Sequence, residues 1–394
     1  MALNDFKPQF DNTYQEIFQK VLVAKKIANM RFESVLTYGA SVARVAYDIS
    51  GVIVRTVVRG SASTIDSLTD TAETLTINVE KEAVFHISDG EATQAGPLNP
   101  GEVIGGQVAI KVAGDLDARI FAEVANAAYT FDTGDLTTLA SNGTPFSLDS
   151  TTVPQFVTRA PAKLRANNQT LSNLVLVVDS YAASDLAQYL LGKSIDLAGS
   201  VFANGYAGTV SMAEVYVSEN LTGQATLTMT GNLTDTQTIV INGITFTSVS
   251  TIGSNPGNFL ISTTDPVNLV SLINNPGTTS STQVALSAAD QAKVTDLYRL
   301  SATRVSATVM TVTGTGSGAL VLSETQTNAS WGKNHIKAYF GKRGAIDVVV
   351  QDLKEVDMRP TADRRGTNVF CSYLAGIKTF TDGSKKFLNV LLAK

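Results

Sequence analysis

Cysteine is almost missing from this chain: Cys371 stands alone among 394 residues. A single thiol excludes an intrachain disulfide and suits a reducing compartment. It sits in the apolar run Val369-Phe370-Cys371-Ser372-Tyr373-Leu374, so it reads as a small buried hydrophobe rather than a nucleophile. Histidine is nearly as scarce. His86 and His335 are each isolated, with no Cys or His partner at metal-ligand spacing. A serine triad would need one of them, and neither lies near a Gly-x-Ser-x-Gly elbow. Apolar runs of about 18 residues are lacking, so no membrane span is expected. Residues 1–10 carry Asp5 and Lys7 and lack the apolar stretch of a signal peptide, so none is expected. Basic excess is absent too: the net charge is -5, against the clustered Lys and Arg that tight, sequence-independent binding of nucleic acid requires.

What is present describes a globular protein. Hydrophobic residues make up 44% of a length that fits two or three domains, ample for buried cores. Residues 12–30 repeat Tyr14, Ile17, Phe18, Val21, Leu22 and Ile27 at helical spacing behind a possible Asn12 cap. From Gly51 the period becomes two: Val52, Val54, Thr56 and Val58 alternate with Ile53, Arg55 and Val57. After the 60–70 loop, Leu75, Ile77 and Val79 alternate again, which predicts a long β-hairpin. A two-stranded ribbon is marginal alone in water, so it must lean on its own domain or on a partner.

Breakers at Gly96-Pro97-Leu98-Asn99-Pro100-Gly101 close that region. Val112, Leu116, Ile120, Val124 and Ala128 then mark an amphipathic helix starting near Gln107 and ending near Tyr129. Asp115 and Asp117, placed near its start, suit the positive end of its dipole. Leu174-Val175-Leu176-Val177-Val178 reads as a strand buried on both faces, followed by a helix over 181–191 capped by Asp179 and Ser180. Further strands are expected at 210–217, 346–350, 368–374 and 387–392.

Residues 222–330 differ in character. They hold only eight charged side chains (Asp235, Asp265, Asp290, Lys293, Asp296, Arg299, Arg304 and Glu324), while Ser and Thr fill 36 positions. Such a block reads as a small β-rich domain inserted in a loop of the surrounding fold. Its Ile241-Asn242-Gly243-Ile244 centre predicts a hairpin, because Asn-Gly supplies both positive φ angles of a type I′ turn. Short helices are expected over 267–273 and 287–297, the second with Ser287 and Asp290 in a capping box. A second strand pair is expected from 309–313 and 319–322. Thr313-Gly314-Thr315-Gly316-Ser317-Gly318 superficially resembles a phosphate loop but lacks the following Lys and helix, so it reads as a turn. No acid, base or nucleophile group is assembled; the expectation is no enzyme, no cofactor and no metal.

Joined across the insert, the flanks resemble a known family. Gly205-Tyr206-Ala207-Gly208-Thr209-Val210 leading into Val215-Tyr216-Val217-Ser218-Glu219-Asn220-Leu221 is similar to a stretch of tailed-bacteriophage major capsid proteins with the HK97-like fold. Asp115-Leu116-Asp117-Ala118-Arg119-Ile120 resembles the family's spine helix, and 174–190 its central strand and helix. Asn334-His335-Ile336-Lys337-Ala338 through Val349-Val350-Gln351 and Glu355-Val356 resembles the return from A domain to P domain. Tyr373-Leu374-Ala375-Gly376-Ile377-Lys378 resembles a late strand.

The resemblance implies an α+β fold: an N-terminal arm (1–50), an E-loop hairpin (51–95), and a spine helix with the first part of the P domain (96–165). An A domain (166–221), the insert (222–330) and a return through the A to the P domain (331–394) follow. It implies a shell protein that assembles with itself, as hexamers and pentamers, into an icosahedral capsid in the host cytoplasm. A separate scaffolding protein, a portal and weakly contacted double-stranded DNA are the implied partners. Lys342, Arg343, Arg359, Arg364 and Arg365 are candidate intersubunit contacts, each as readily an exposed base of little energetic weight. An encapsulin-type compartment and a β-rich surface adhesin are the alternative readings.

Overall fold

The computed structural model describes residues 22–31, 41–48, 52–57, 59–60, 62, 65–66, 69–88, 100–191, 206–210, 213–262, 265–353, 357–360 and 365–394. Helices and mixed sheets enclose two large hydrophobic cores in an α+β arrangement. The larger core draws on both flanks, with Phe121, Phe131, Phe156, Tyr339, Phe340 and Phe387 among its bulkiest members. The buried members of the second all lie between Ala225 and Ala329, centred on Leu227, Ile239, Phe246, Leu269, Leu272 and Val312, with Trp331 packed against them. Ala319 is the one residue of 222–330 among the described, buried members of the larger core.

A nine-stranded sheet carries both cores. The 14-residue strand Ala329–Lys342 is its spine. Its first half pairs antiparallel with Thr222–Met229, its second half with Leu174–Val178, and Phe387–Ala393 lies along its other edge. Leu174–Val178 is buried at every position, as its unbroken apolar run requires, and pairs parallel with Ala213–Val217. Beyond Thr222–Met229 come Val309–Gly314 and then the edge strand Leu300–Arg304. A bulge between Gly332 and His335, with Lys333 at φ 49°, interrupts the spine strand's pairing with Thr222–Met229, which resumes beyond it. Aromatic rings fill the larger core edge to face. Phe131 meets Phe156 at 5.5 Å and Phe156 meets Phe340 at 5.9 Å between centroids.

The Asn242-Gly243 turn forms as expected, with φ 51° and 75°, between Thr238–Ile241 and Ile244–Val249. The helix Val267–Asn274 is present, and Ser287 caps Ala288–Ala292 by accepting the Asp290 amide. The expected pairing of 309–313 with 319–322 does not form. Instead Val309–Gly314 takes two other partners and Leu322–Glu324 joins Thr238–Ile241 in a separate four-stranded sheet. Residues 315–321 therefore cross between sheets, using positive φ at Gly316 and Gly318.

The long helix begins earlier than the apolar spacing suggests. It spans Pro100–Ala122 and passes into the 3-10 turn Glu123–Asn126. Pro100, read as a breaker, opens the helix, where a missing N–H costs nothing. Asp115 and Asp117 consequently lie about four turns in, not at the positive end. The amino-terminal helix expected over 12–30 lies mostly outside the described residues. At its end the chain is instead a 3-10 turn, Ala24–Lys26, followed by Ala28–Asn29, which pairs parallel with Ile346 and Asp347.

Candidate functional site

The ribbon is real, but its strands are not the expected ones. Ser41–Asp48 pairs antiparallel with Thr69–Thr76 over eight positions, from Ser41↔Thr76 to Asp48↔Thr69. Residues 52–57, predicted as a strand, belong to none. Alternation reports β-propensity, whereas a strand also needs a partner, and here pairing begins ten residues earlier. Two strands of eight residues project about 25 Å.

The tip is apolar and uncovered. Val54 is 99% exposed, Ile65 91%, Val57 82% and Ile53 61%. One clasp shapes this tip: Arg55 reaches both carboxylate oxygens of Asp66 at 2.6 and 2.7 Å, and Asp66 also accepts the Ile53 amide. The Arg55 guanidinium holds the Asp66 carboxyl below its ordinary range. Isolated exposed apolar side chains are unremarkable, but a run of them on a projecting ribbon marks a contact surface.

The root is held firmly. Strand Val79–Ile87 continues the ribbon and pairs with Thr367–Lys378 along nine positions. Leu75 and Ile77 pack with Val349 and Phe380 in a small third core. Lys378 donates to the Thr74 carbonyl at 2.8 Å, and Glu73 accepts the Thr381 amide at 3.0 Å.

Two carboxylates on the long helix organise what surrounds this root. Asp115 accepts Arg119 Nε at 2.9 Å, and also the Tyr373 hydroxyl and the Arg299 guanidinium. Burial works to raise its pKa. The Tyr373 hydroxyl and the two guanidinium groups outweigh burial and hold the carboxyl below its ordinary range. Asp117 is buried, and its two oxygens accept the Val23 and Ala24 amides at 3.0 Å each. Burial pushes it up to about 7 against those two bonds. The i,i+4 spacing of Asp115 and Arg119 is the one local signal; the remaining partners of the two aspartates lie 93 to 258 residues away in sequence.

Of the basic residues singled out from the sequence, Lys342 ends the spine strand and Arg359 lies on the strand Asp357–Pro360. Lys342 donates to Thr170 Oγ1 at 2.6 Å. Arg343 pairs with Glu214 and donates to the Tyr216 hydroxyl at 3.1 Å; Tyr216, then Arg343, lower the Glu214 carboxyl. Arg359 pairs with Asp357 at 2.7 Å and lies over the Phe370 ring at 5.5 Å. Arg365 is exposed, and Arg364 lies outside the described residues. His86 Nδ1 lies 2.9 Å from Asn368 Oδ1, and His335 is buried with Nδ1 against the Lys333 carbonyl. Burial lowers the His335 pKa, which favours the neutral ring. Cys371 is buried. Among the described residues no three His, Cys, Asp or Glu side chains are grouped to hold a metal, and no helix is long and apolar enough to cross a membrane.

No family model matches the chain, and no curated protein matches it either. Among solved structures it is similar to Mycobacterium phage Che8, with a TM-score of 0.46 and 14% identity over 93% of this chain and 90% of that one. It is similar to a capsid structure of the cyanophage P-SCSP1u, with a TM-score of 0.45 and 10% identity over 91% and 84% of the two chains. A virus-like particle from Pyrococcus furiosus aligns with a TM-score of 0.42 and 9% identity over 97% and 98%.

Proposed function

We propose that this chain is a shell subunit of the HK97-like kind: the major capsid protein of a tailed bacteriophage, which assembles with copies of itself around double-stranded DNA. The observation that carries the reading is the ribbon. It projects about 25 Å from a firmly anchored root and ends in Ile53, Val54, Val57 and Ile65, all more than 60% exposed. A surface of this kind gains its stabilisation when another subunit covers it. Each copy both offers a ribbon and receives one, so contacts of modest strength add up over a closed shell.

Within this reading the long helix Pro100–Ala122 is the spine, and residues 222–330 form a β-rich domain inserted in the A domain and facing outward. Arg359, whose side chain is 71% exposed although it pairs with Asp357, and the exposed Arg365 are the better intersubunit candidates. Lys342 and Arg343 are engaged with Thr170 and Glu214 of the same chain. A scaffolding protein and a portal complete the proposed set of partners.

The test is assembly of the purified full chain, scored by negative-stain microscopy and sedimentation. Wild-type chain, with scaffolding supplied where needed, forms closed shells. The double substitution Val54→Asp and Ile65→Asp leaves a folded subunit, by circular dichroism, that fails to assemble. Unimpaired assembly of that variant overturns the role given to the ribbon tip. Shells from infected cells that hold a protein cargo instead of DNA overturn the phage assignment.

A further inference from the structure

We propose that the 222–330 segment braces its own subunit: Arg299 and Asp296 tie it to the long helix and to the ribbon's root, and so fix the direction in which the ribbon leaves the body. The inference is intramolecular and stands apart from whether shells form.

Three stretches of chain converge on one carboxylate. Asp115 comes from the helix Pro100–Ala122, Tyr373 from the strand Thr367–Lys378, and Arg299 from the segment, 184 residues along. Arg119, one turn further along the helix, completes the cluster. Beside it, Asp296 lies 3.6 Å from Lys81, on the strand that continues the ribbon. The loop after Val309–Gly314 presses on the same helix. A Cβ added to Gly316 would stand 2.5 Å from the Ala118 Cβ and 2.9 Å from the Arg299 guanidinium, and φ there is 74°. Arg299 itself adopts φ 43°, a left-handed conformation that a side chain disfavours. The strained residue is the one that makes the connection.

This contact differs in kind from the segment's other attachment. Through Thr222–Met229 the segment is hydrogen-bonded into the nine-stranded sheet, and its apolar side chains fill the second core. Against the helix and the ribbon's root it meets a cleft of about 550 Å³ whose lining combines charged groups such as Lys81, Lys111, Asp115 and Asp296 with Val112 and Cys371. That seam mixes charged and apolar groups and has water access: salt screens the exposed Asp296–Lys81 pair and acts less on the mostly buried Arg299–Asp115 pair. A sheet edge alone allows the segment to pivot. The lateral contact at Asp115 and Lys81 removes that freedom, and it acts on the strand from which the ribbon extends.

Hydrogen exchange read by mass spectrometry on the full chain, at one verified assembly state, tests the brace. Arg299→Ala is expected to speed exchange in peptides covering 79–87 and 111–122 by about two- to fivefold. Peptides covering 238–249, inside the segment's own core, stay unchanged. Raising NaCl from about 50 to about 500 mM has a smaller effect of the same pattern on wild type, because it screens the exposed Asp296–Lys81 pair more than the mostly buried Arg299–Asp115 pair. Lys81→Ala, a half-exposed position, gives a smaller change of the same pattern and serves if Arg299→Ala does not fold. Unchanged exchange over 79–87 in both variants overturns the proposal. So does faster exchange over 238–249, because Arg299 would then be maintaining the segment's fold and not its docking.

Discussion

At the residue scale, Asp117 shows how burial turns an ordinary carboxyl into a pH-dependent tie. The chain at Val23 and Ala24 is fastened by amide hydrogen bonds to a side chain that burial raises to about 7. The folded-state value exceeds the unfolded one, so the folded state binds the proton more tightly. Its contribution to stability is complete below about pH 4 and is lost as pH rises through about 7, at up to about 1.4 kcal/mol per pH unit. The unfolding free energy is therefore expected to be larger at pH 5.5 than at pH 8 by the part this group contributes, although the Val23 and Ala24 amides themselves favour the ionised carboxylate. Chemical denaturation at the two pH values measures it. Asp117→Asn should flatten the dependence, and an equal pH dependence in wild type and variant refutes this account. Sequence spacing placed Asp117 on a helix correctly and saw in it only a partner for the helix dipole. What makes it special is a backbone segment 93 residues away, which no local pattern encodes.

At the element scale, legibility followed how local the determining interaction is. The Asn242-Gly243 turn, the Ser287 cap and the fully buried strand Leu174–Val178 were all readable, because a few adjacent residues fix each one. The ribbon's strands and the partner of Val309–Gly314 were not, since pairing is chosen by what lies opposite in space. The edge strand Leu300–Arg304 adds another device invisible in sequence. Asn274, at the end of the helix Val267–Asn274, donates to the Ala302 carbonyl at 2.8 Å and accepts the Ala302 amide at 2.9 Å. Its carboxamide acts as a one-residue next strand and blunts an edge that would otherwise offer itself to another chain. Asn274→Ala removes both bonds and is expected to cost about 1–3 kcal/mol. Chemical denaturation reads that loss, and light scattering of the native protein reads a rise in aggregation. A variant with unchanged scattering and midpoint shows that the helix covers this edge without the amide.

At the scale of the whole molecule, composition identified residues 222–330 as different, and the buried members of the second core are confined to 225–329. Sequence did not reveal that this segment shares a sheet with the flanks. Thr222–Met229 pairs with the same strand, Ala329–Lys342, whose far half lies in the larger core. Whether the flanks need the segment to fold can be argued from what they would lose. Removing it takes Ala319 from the larger core, Arg299 from Asp115 and Asp296 from Lys81, and strips residues 335–337 of the spine strand of their partners at 222–224. Residues 335–342 of the spine strand keep Phe387–Ala393 and Leu174–Val178 as partners. A chain with residues 222–333 replaced by a short Gly-Ser linker should therefore fold, because Leu221, next to the Thr222↔Lys337 pair, ends about four strand residues, roughly 13 Å, from Asn334, a gap that such a linker spans. One lost methyl contact, two ion pairs and the pairing at residues 335–337 amount to about 2–6 kcal/mol, or roughly 4–20 °C in a thermal scan of a domain this size. A cooperative transition lowered by that amount is the expected outcome. A deleted chain that is molten or insoluble would mean instead that the shared strand needs both of its neighbours, and that the two cores form as a single cooperative unit.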